Sequence, residues 1–182
     1  MASYTDDFNR PDSSTVTGWT EMDDNWSIVS NQLAPGTSTT ARILYSSPLS
    51  TSDHYAEIVL SNATTTSMGI FARADIGANN FYLWRNNGSS WNLFYNLSGS
   101  FNVIGTYAAA AVNGDVARLQ CVGSTIKAYV NGVERVSVTD TQIANGLYVG
   151  VRSEASSTAR YDNFAAADVV SGNVGAFFEF FE

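Results

Sequence analysis

Apolar and polar residues alternate in short runs along most of this chain, and the runs recur roughly every eight to twelve positions. Because successive side chains of an extended chain point to opposite faces, this period of two predicts half-buried β-strands. The clearest runs are 55–60, 68–73, 81–85, 91–97, 116–122, 126–130, 133–138, 148–152 and 159–165. Shorter candidates are 5–8, 26–29, 32–34 and 41–45. The pattern predicts an all-β sandwich.

Turn residues separate the runs. Asn131-Gly132 stands between two runs and predicts a two-residue hairpin turn, because both residues tolerate a positive φ. Residues 86–89 have the same role between the runs 81–85 and 91–97. The one helix-prone stretch, 108–111, is too short to form an isolated helix.

The pattern changes after Asp168, which predicts a domain over 1–168 followed by a glycine-punctuated arm over 169–182. The arm ends in four phenylalanines, which are too apolar for a solvated tail: Phe177, Phe178, Phe180 and Phe181. Three alternatives remain open for the arm. It folds back as an edge strand on its own sandwich, buries its rings in a neighbouring subunit or larger assembly, or is a frayed end.

The chain has 182 residues and a formal net charge of −8, with Lys127 as its single lysine. Nucleic acid and anionic lipid surfaces both attract clustered positive charge, so neither is expected as a partner. A single cysteine, Cys121, excludes an intramolecular disulfide, and its position in a strand pattern predicts a core residue. The first residues carry no secretory signal pattern, which favours synthesis in a cytoplasm or a signal removed beforehand.

Several strings in fixed order resemble the concanavalin A-like lectin/glucanase superfamily, and within it the laminin-G-like jelly rolls. They are Asp7-Phe8-Asn9-Arg10 with Gly18-Trp19, Trp26-Ser27-Ile28 with Asn31-Gln32-Leu33, 67–74 with Phe81-Tyr82-Leu83, 127–132, and Tyr161-Asp162-Asn163-Phe164. The resemblance covers about residues 4 to 168. It implies a two-sheet antiparallel jelly-roll sandwich with its first and last strands adjacent in one sheet.

In that arrangement Phe8 and Phe164 point into the core. Asp6 and Asp162, two residues earlier in each string, are expected on the same inner side. Domains of this type often carry a calcium ion at the rim, but the sequence has no Asp-rich loop that marks such a site. We therefore expect no cofactor or metal, with a structural calcium at Asp6 or Asp162 as the weaker alternative. Pairing with an arginine (Arg10, Arg73 and Arg160 are available) or strand capping is the favoured role of these acids.

Glucanases of this superfamily use paired acids on one strand of the concave sheet, and this sequence has no such pair. Glu57 stands alone in its run, and the adjacent Asp23 and Asp24 would point to opposite faces of a strand. The only histidine, His54, lacks a nucleophile motif and is expected to be a partly exposed residue at a strand start. The sequence predicts a protein that is not an enzyme.

An aromatic hairpin is the best binding candidate. Tyr82, Trp84, Trp91 and Tyr95 are predicted to contact a glycan, because rings stack on sugar C–H faces while polar neighbours bind hydroxyls. Tyr82 and Trp84 share one face of their strand, and Phe81, Leu83 and Arg85 share the other. One of these faces must be core, so the alternative is that most of these rings fill the sandwich.

Three functions follow, in this order. The first is a structural, decoration or fibre protein of a phage or other virus particle, made in the host cytoplasm, that docks on capsid or other virion proteins through its arm and forms a homo-oligomer. The second is a carbohydrate-binding module or lectin-like adhesin, secreted or displayed toward host-surface glycans. The third is a glycoside hydrolase.

Overall fold

The computed structural model describes residues 1–36, 40–154 and 156–170, and the fold of these residues is entirely β. The strands are β1 Ser3–Asp6, β2 Trp19–Asp23, β3 Ser27–Val29, β4 Gln32–Ala34, β5 Ala41–Tyr45, β6 His54–Asn62, β7 Met68–Ala74, β8 Asn80–Asn86, β9 Trp91–Leu97, β10 Ser100–Tyr107, β11 Asp115–Val122, β12 Thr125–Val130, β13 Val133–Thr139, β14 Tyr148–Ser153 and β15 Arg160–Asp168. All-β architecture is therefore confirmed.

Two antiparallel sheets make up the described part of the chain. The eight-stranded sheet has the order β13-β12-β11-β6-β15-β4-β3, with β1 paired to β15 beside this path. The seven-stranded sheet has the order β10-β9-β8-β7-β14-β5-β2. The non-consecutive neighbours in both sheets are those of a jelly roll, as the sequence predicts.

The main core lies between the sheets and takes alternate residues from each strand. Phe8, Cys121 and Phe164 are all in it, each at most 1% exposed, which confirms the sequence prediction for these three residues. Burial raises the pKa of the Cys121 thiol to about 12, since a thiolate would be desolvated there. The thiol therefore stays protonated at neutral pH and acts as a small apolar side chain.

The first and last described strands pair, as expected. Thr5 lies opposite Ala165, and Asp6 lies opposite Phe164. The Asp6 carboxylate accepts two hydrogen bonds from Arg10, at 2.7 and 3.1 Å, and one from the Trp19 indole at 2.8 Å. Arginine pairing at the strand end is thus the role that Asp6 has in this structure.

Asp162 does not share the inner side with Asp6, and this part of the prediction is wrong. Asn163 adopts a left-handed φ of 47° and the register with β6 shifts between Asp162 and Ala165. This bulge inserts one residue into the alternation, so Tyr161 and Phe164 both point inward while Asp162 points away from the core.

His54 begins β6 as predicted but is fully buried rather than partly exposed. Its Nε2 accepts the Arg73 backbone N–H at 2.9 Å, so the proton sits on Nδ1 and is donated to the Thr51 carbonyl at 2.8 Å. Desolvation and the Arg73 charge lower its pKa, which keeps the ring neutral at physiological pH. His54 therefore links the loop before β6 to strand β7.

The predicted assembly residues Phe177, Phe178, Phe180 and Phe181 lie outside the described residues, so the arm remains a prediction. Within the described residues, no helix is long and apolar enough to cross a bilayer. The same residues contain no group of three or more His, Cys, Asp or Glu side chains arranged to hold a metal ion.

Candidate functional site

The predicted sugar-binding aromatics belong to the core, which corrects the sequence assignment. Tyr82, Trp84 and Trp91 are 0% exposed, and the partly buried Tyr95 packs against the same cluster. A ring that no solvent reaches cannot stack on a sugar. The sequence offered two faces of this hairpin, and the face of Tyr82 and Trp84 is the one that points between the sheets.

These aromatics instead join the two layers. Trp84 on β8 donates its indole N–H to the Tyr129 carbonyl on β12 at 3.1 Å, and it stacks on Trp91 with ring centroids 5.3 Å apart. The Tyr82 hydroxyl donates to the Asp140 carboxylate at 2.6 Å and accepts the Ile143 N–H at 3.2 Å. The polar atoms of Trp84 and Tyr82 are therefore used in holding the sandwich together, whereas the Trp91 indole N–H has no partner among the described residues.

The opposite face of the same strands carries a second apolar cluster. It consists of Leu44, Phe71, Ala74, Ala78, Phe81, Leu83 and Phe94. All of them are nearly or fully buried although none lies between the sheets. Gly150 makes this possible at one point, since a Cβ there would lie 2.3 Å from the Phe71 ring. Phe71 thus lies flat across the neighbouring strand.

The burial of this cluster reflects strong curvature of the seven-stranded sheet. Three strands separate β10 from β14, and a spacing of about 4.8 Å would put them roughly 19 Å apart in a flat sheet. Nevertheless the Arg152 guanidinium on β14 lies 5.0 Å from the Phe101 ring on β10. The outer face of this sheet is therefore concave, and we call it the concave face.

A row of polar residues crosses the concave face in register. Neighbouring strands place the following residues side by side, in this order: Asp23, Arg42, Arg152, Gly69, Arg85 and Asn92. Each arginine alternates with core residues in its own strand, so sheet register alone brings three arginines that are distant in sequence onto one face.

Two carboxylates hold the arginines in place. Glu154 Oε1 lies 2.7 Å from Arg85 Nη1 and 2.6 Å from Arg152 Nη1, while Asp23 pairs with Arg42. Burial by itself would raise the pKa of Glu154, but a hydrogen bond with Ser67 and the two arginine charges bring it below its ordinary value. Glu154 is therefore ionised at neutral pH.

A groove of about 280 Å³ opens beside this row, and we call it the concave groove. Its lining residues are Thr40, Arg42, Asn79, Asn96, Ser98, Gly99, Phe101 and Arg152. Phe101 is 39% exposed and supplies an apolar surface within the otherwise polar lining. Among the described residues, Arg152 Nε and Asn96 Oδ1 are buried without a hydrogen-bond partner.

Two further cavities lie beside charged side chains whose hydrogen bonds are already made within the protein. A cavity of about 440 Å³ lies beside Asp6 and Asp7, but the Asp6 carboxylate is already occupied by Arg10 and Trp19. Another, of about 270 Å³, lies beside Arg73, whose guanidinium donates to the carbonyls of Ser52, Gly123 and Ile143.

Glu57, the acid that stands alone in its run of the sequence, does not lie on the sheet that forms the concave groove. It lies on the eight-stranded sheet and pairs with Arg118 at 3.5 Å. Arg118 lies over the Tyr55 ring at 3.7 Å on the same outer surface. Glu57 therefore has a cationic partner of its own and no second acid opposite it in the strand register.

Comparison with solved structures identifies the fold as the concanavalin A-like jelly roll. A carbohydrate-binding module, CBM66, from Bacillus subtilis superposes with a TM-score of 0.67 at 18% identity, over 87% of this chain and 98% of that one. A β-glucanase from Bacillus licheniformis gives 0.64 at 13%, over 93% and 99%. A protein of unknown function with a galectin-like fold from Bacillus subtilis gives 0.64 at 15%, over 91% and 94%. No protein-family model and no curated protein matches the chain.

The concave groove was missed at the sequence level. Its aromatic residue, Phe101, lies on β10, an edge strand that the alternation did not predict. The signal that could have found the polar row is an arginine flanked by core residues within a strand, as at Ala41-Arg42-Ile43.

Proposed function

We propose that this protein is a non-catalytic carbohydrate-binding domain that holds a glycan in the concave groove. The observation that carries the proposal is a groove in which a partly exposed aromatic ring, Phe101, lies beside arginine side chains and the exposed polar side chains of Asn79 and Ser98. The likeness to a carbohydrate-binding module and to a galectin-like protein adds support from the fold.

The lining suits a sugar for a chemical reason. Phe101 offers an apolar surface to the C–H face of a sugar ring, while the exposed side chains of Asn79 and Ser98 offer donors and acceptors to hydroxyls. A groove that is open at the surface accepts part of a longer chain as readily as its end. These features favour a polysaccharide or a displayed glycan as the ligand.

The acids on the concave face favour binding over hydrolysis. Glycoside hydrolysis needs a general acid with a raised pKa and a second carboxyl group nearby. The outward positions of β8 are Phe81, Leu83 and Arg85, none of them acidic, and the pKa of Glu154 is lowered rather than raised. The concave face therefore has no acid on β8, and Glu154 is poorly suited to supply the proton that a leaving group needs.

The carbohydrate-binding interpretation now takes precedence over the virion role that the sequence placed first. None of the structural neighbours named above is a virion protein, and two of them carry names that refer to carbohydrate binding or to a galectin-like fold. The phenylalanine arm, on which the virion role rested, lies outside the described residues.

Binding of the full chain to a panel of immobilised glycans tests the proposal. We expect a signal on at least one glycan class and a loss of roughly fivefold or more in affinity for Phe101→Ala, because stacking on a ring contributes on the order of 1 kcal/mol. Val133→Ala is the matched control, since Val133 is also an exposed apolar residue on an edge strand but lies on the other sheet.

Two results would overturn the proposal. One is the absence of any glycan-dependent signal with folded protein. The other is a signal that Phe101→Ala and Val133→Ala reduce equally, which would move binding away from the concave groove.

A further inference from the structure

Three arginines of the polar row share two carboxylates as ion-pair partners. Arg42, Arg85 and Arg152 supply three guanidinium groups, and Asp23 and Glu154 supply two carboxylates. A third carboxylate nearby, Asp75, accepts hydrogen bonds from Asn79 and Asn80. The protein as a whole carries a net charge of −8, but charges beyond a Debye length of about 8 Å act little on a bound ligand at physiological salt, so the groups at the groove itself decide what it binds.

Among these arginines, Arg152 is the most buried and is incompletely paired. Its side chain is 6% exposed and shares its only carboxylate partner among the described residues, Glu154, with Arg85. The buried Nε has no hydrogen-bond partner, and neither has Arg85 Nε. Burial and the charges of Arg85 and Arg42 lower the pKa of Arg152, as expected for a cation that is incompletely neutralised. A buried cation in this state is costly unless another anion completes its neutralisation.

We propose that the concave groove selects glycans that carry an oxyanion, either a carboxylate or a sulfate group, and that Arg152 and Arg42 recognise this group. The inference rests on the glycan-binding function proposed above. A guanidinium binds planar and tetrahedral oxyanions through paired N–H donors, whereas a neutral hydroxyl satisfies a donor without cancelling the charge.

The position of Phe101 supports this assignment. Its ring lies 5.0 Å from the Arg152 guanidinium, so a sugar that stacks on the ring places a ring substituent within reach of the arginine. Arg42 and Arg152 are direct neighbours across β5 and β14 and both line the groove. Two adjacent guanidinium groups beside one aromatic surface can hold the charged substituent and the sugar ring together.

Isothermal titration with matched oligosaccharides tests the inference. The probes are galacturonan, alginate and carrageenan oligosaccharides, each beside its carboxyl-reduced or desulfated counterpart. We expect at least one acidic probe to bind at least about tenfold more tightly than its neutral counterpart, as for a charge-assisted hydrogen bond. Whether the preferred probe carries carboxylate or sulfate identifies the group.

Variants locate the selectivity. Arg152→Gln and Arg42→Gln should each remove most of the preference, while Arg118→Gln on the outer surface of the other sheet should keep it. If Arg152→Gln fails to fold, Arg42→Gln still tests the groove, because its side chain is more exposed. Raising the salt concentration should weaken the binding of the acidic probe more than that of the neutral probe, and this measurement needs no variant.

The outcomes separate this inference from the function on which it rests. Equal binding of acidic and neutral probes that is lost in Phe101→Ala overturns the charge selectivity and leaves glycan binding in place. Failure of every acidic probe to bind also overturns the selectivity. Absence of binding to every glycan, acidic or neutral, overturns both.

Discussion

Asp6 shows how one side chain closes the sandwich. Its carboxylate receives hydrogen bonds from Arg10, from the Trp19 indole and from the Phe8 backbone N–H at 2.8 Å. Trp19 in turn packs edge-on against Phe164 with ring centroids 4.7 Å apart. A single acid therefore fixes the end of β1, an indole of the core and the turn that follows the strand.

This arrangement predicts an acid-sensitive contribution to stability. Burial raises the pKa of Asp6, but the bonds from Arg10, Trp19 and Phe8 outweigh burial and lower it overall. Since the folded pKa lies below the unfolded value, the contribution is present above about pH 3.9 and is lost as the pH falls through the folded pKa. The difference in the free energy of unfolding between wild type and Asp6→Asn should therefore be largest at neutral pH and shrink in strong acid.

Chemical denaturation across this pH range measures the difference. Asp7→Asn is the control, because Asp7 is an exposed neighbour whose carboxylate accepts only a local bond from Asn9 in the described structure. A difference for Asp6→Asn that does not change with pH would contradict the ionised role of Asp6.

At the scale of elements, β15 depends on a one-residue bulge. Residues before Asn163 pair with β6 in one register and residues after it pair in another, and the same edge of β15 serves β4 at Tyr161 and β1 from Phe164 onward. Without the bulge, Tyr161 and Phe164 could not both face the core. The left-handed conformation of Asn163 is therefore a requirement of the closing seam.

Substitution at Asn163 tests this requirement. Asn163→Gly should leave the free energy of unfolding nearly unchanged, because glycine adopts a left-handed φ without a steric penalty. Asn163→Val should lower it by about 1–2 kcal/mol, since a β-branched side chain is strained in that conformation. Urea denaturation of the two variants gives the comparison, and equal stability would mean that the bulge does not depend on this backbone conformation.

Strands that bury many residues were the most predictable. The runs in β6 and β11 alternate because one face is covered, and those in β7 and β8 are more continuously apolar because both faces are covered. In contrast, β2 and β10 were not predicted, because they are the exposed edges of the seven-stranded sheet and each contains a register shift that interrupts alternation. The exposed edge strand β13 was nevertheless predicted, because Asn131-Gly132 marks the turn before it. Phe101 lies on β10, and missing that strand meant missing the concave groove.

The sequence pattern also could not decide which face of a strand points into the core. Both faces of β8 are apolar, since one lies in the core and the other on the floor of the concave face. Alternation shows which residues share a face but not which face points inward. The packing of the two sheets against each other, which involves strands distant in sequence, places Tyr82 and Trp84 inside.

For the whole molecule, β15 completes the eight-stranded sheet, and the described strands need nothing after it to close the core. A chain that ends after Val170 should therefore unfold cooperatively, with a thermal midpoint close to that of the full chain. A chain that ends after Ala159 lacks β15 and should not fold cooperatively. Thermal unfolding followed by circular dichroism compares the three chains, and loss of cooperativity in the chain that ends after Val170 would contradict the predicted domain boundary.

The same truncation addresses the predicted assembly arm. If the phenylalanines at 177, 178, 180 and 181 bury their rings in another subunit, the full chain should have a higher mass by light scattering than the chain that ends after Val170. Equal masses would remove the main support for the arm as an assembly element.

The pairing of β1 with β15 has a consequence for how such a domain can be used. Ala2 and Asp168 contact each other directly, with the Ala2 N–H donating to the Asp168 carboxylate at 2.5 Å. The two described ends of the chain therefore lie side by side at the eight-stranded sheet, while the concave groove opens on the outer surface of the other sheet. Such a unit can be circularly permuted, or spliced into a loop of a host protein, and still present its groove on the side away from the junction.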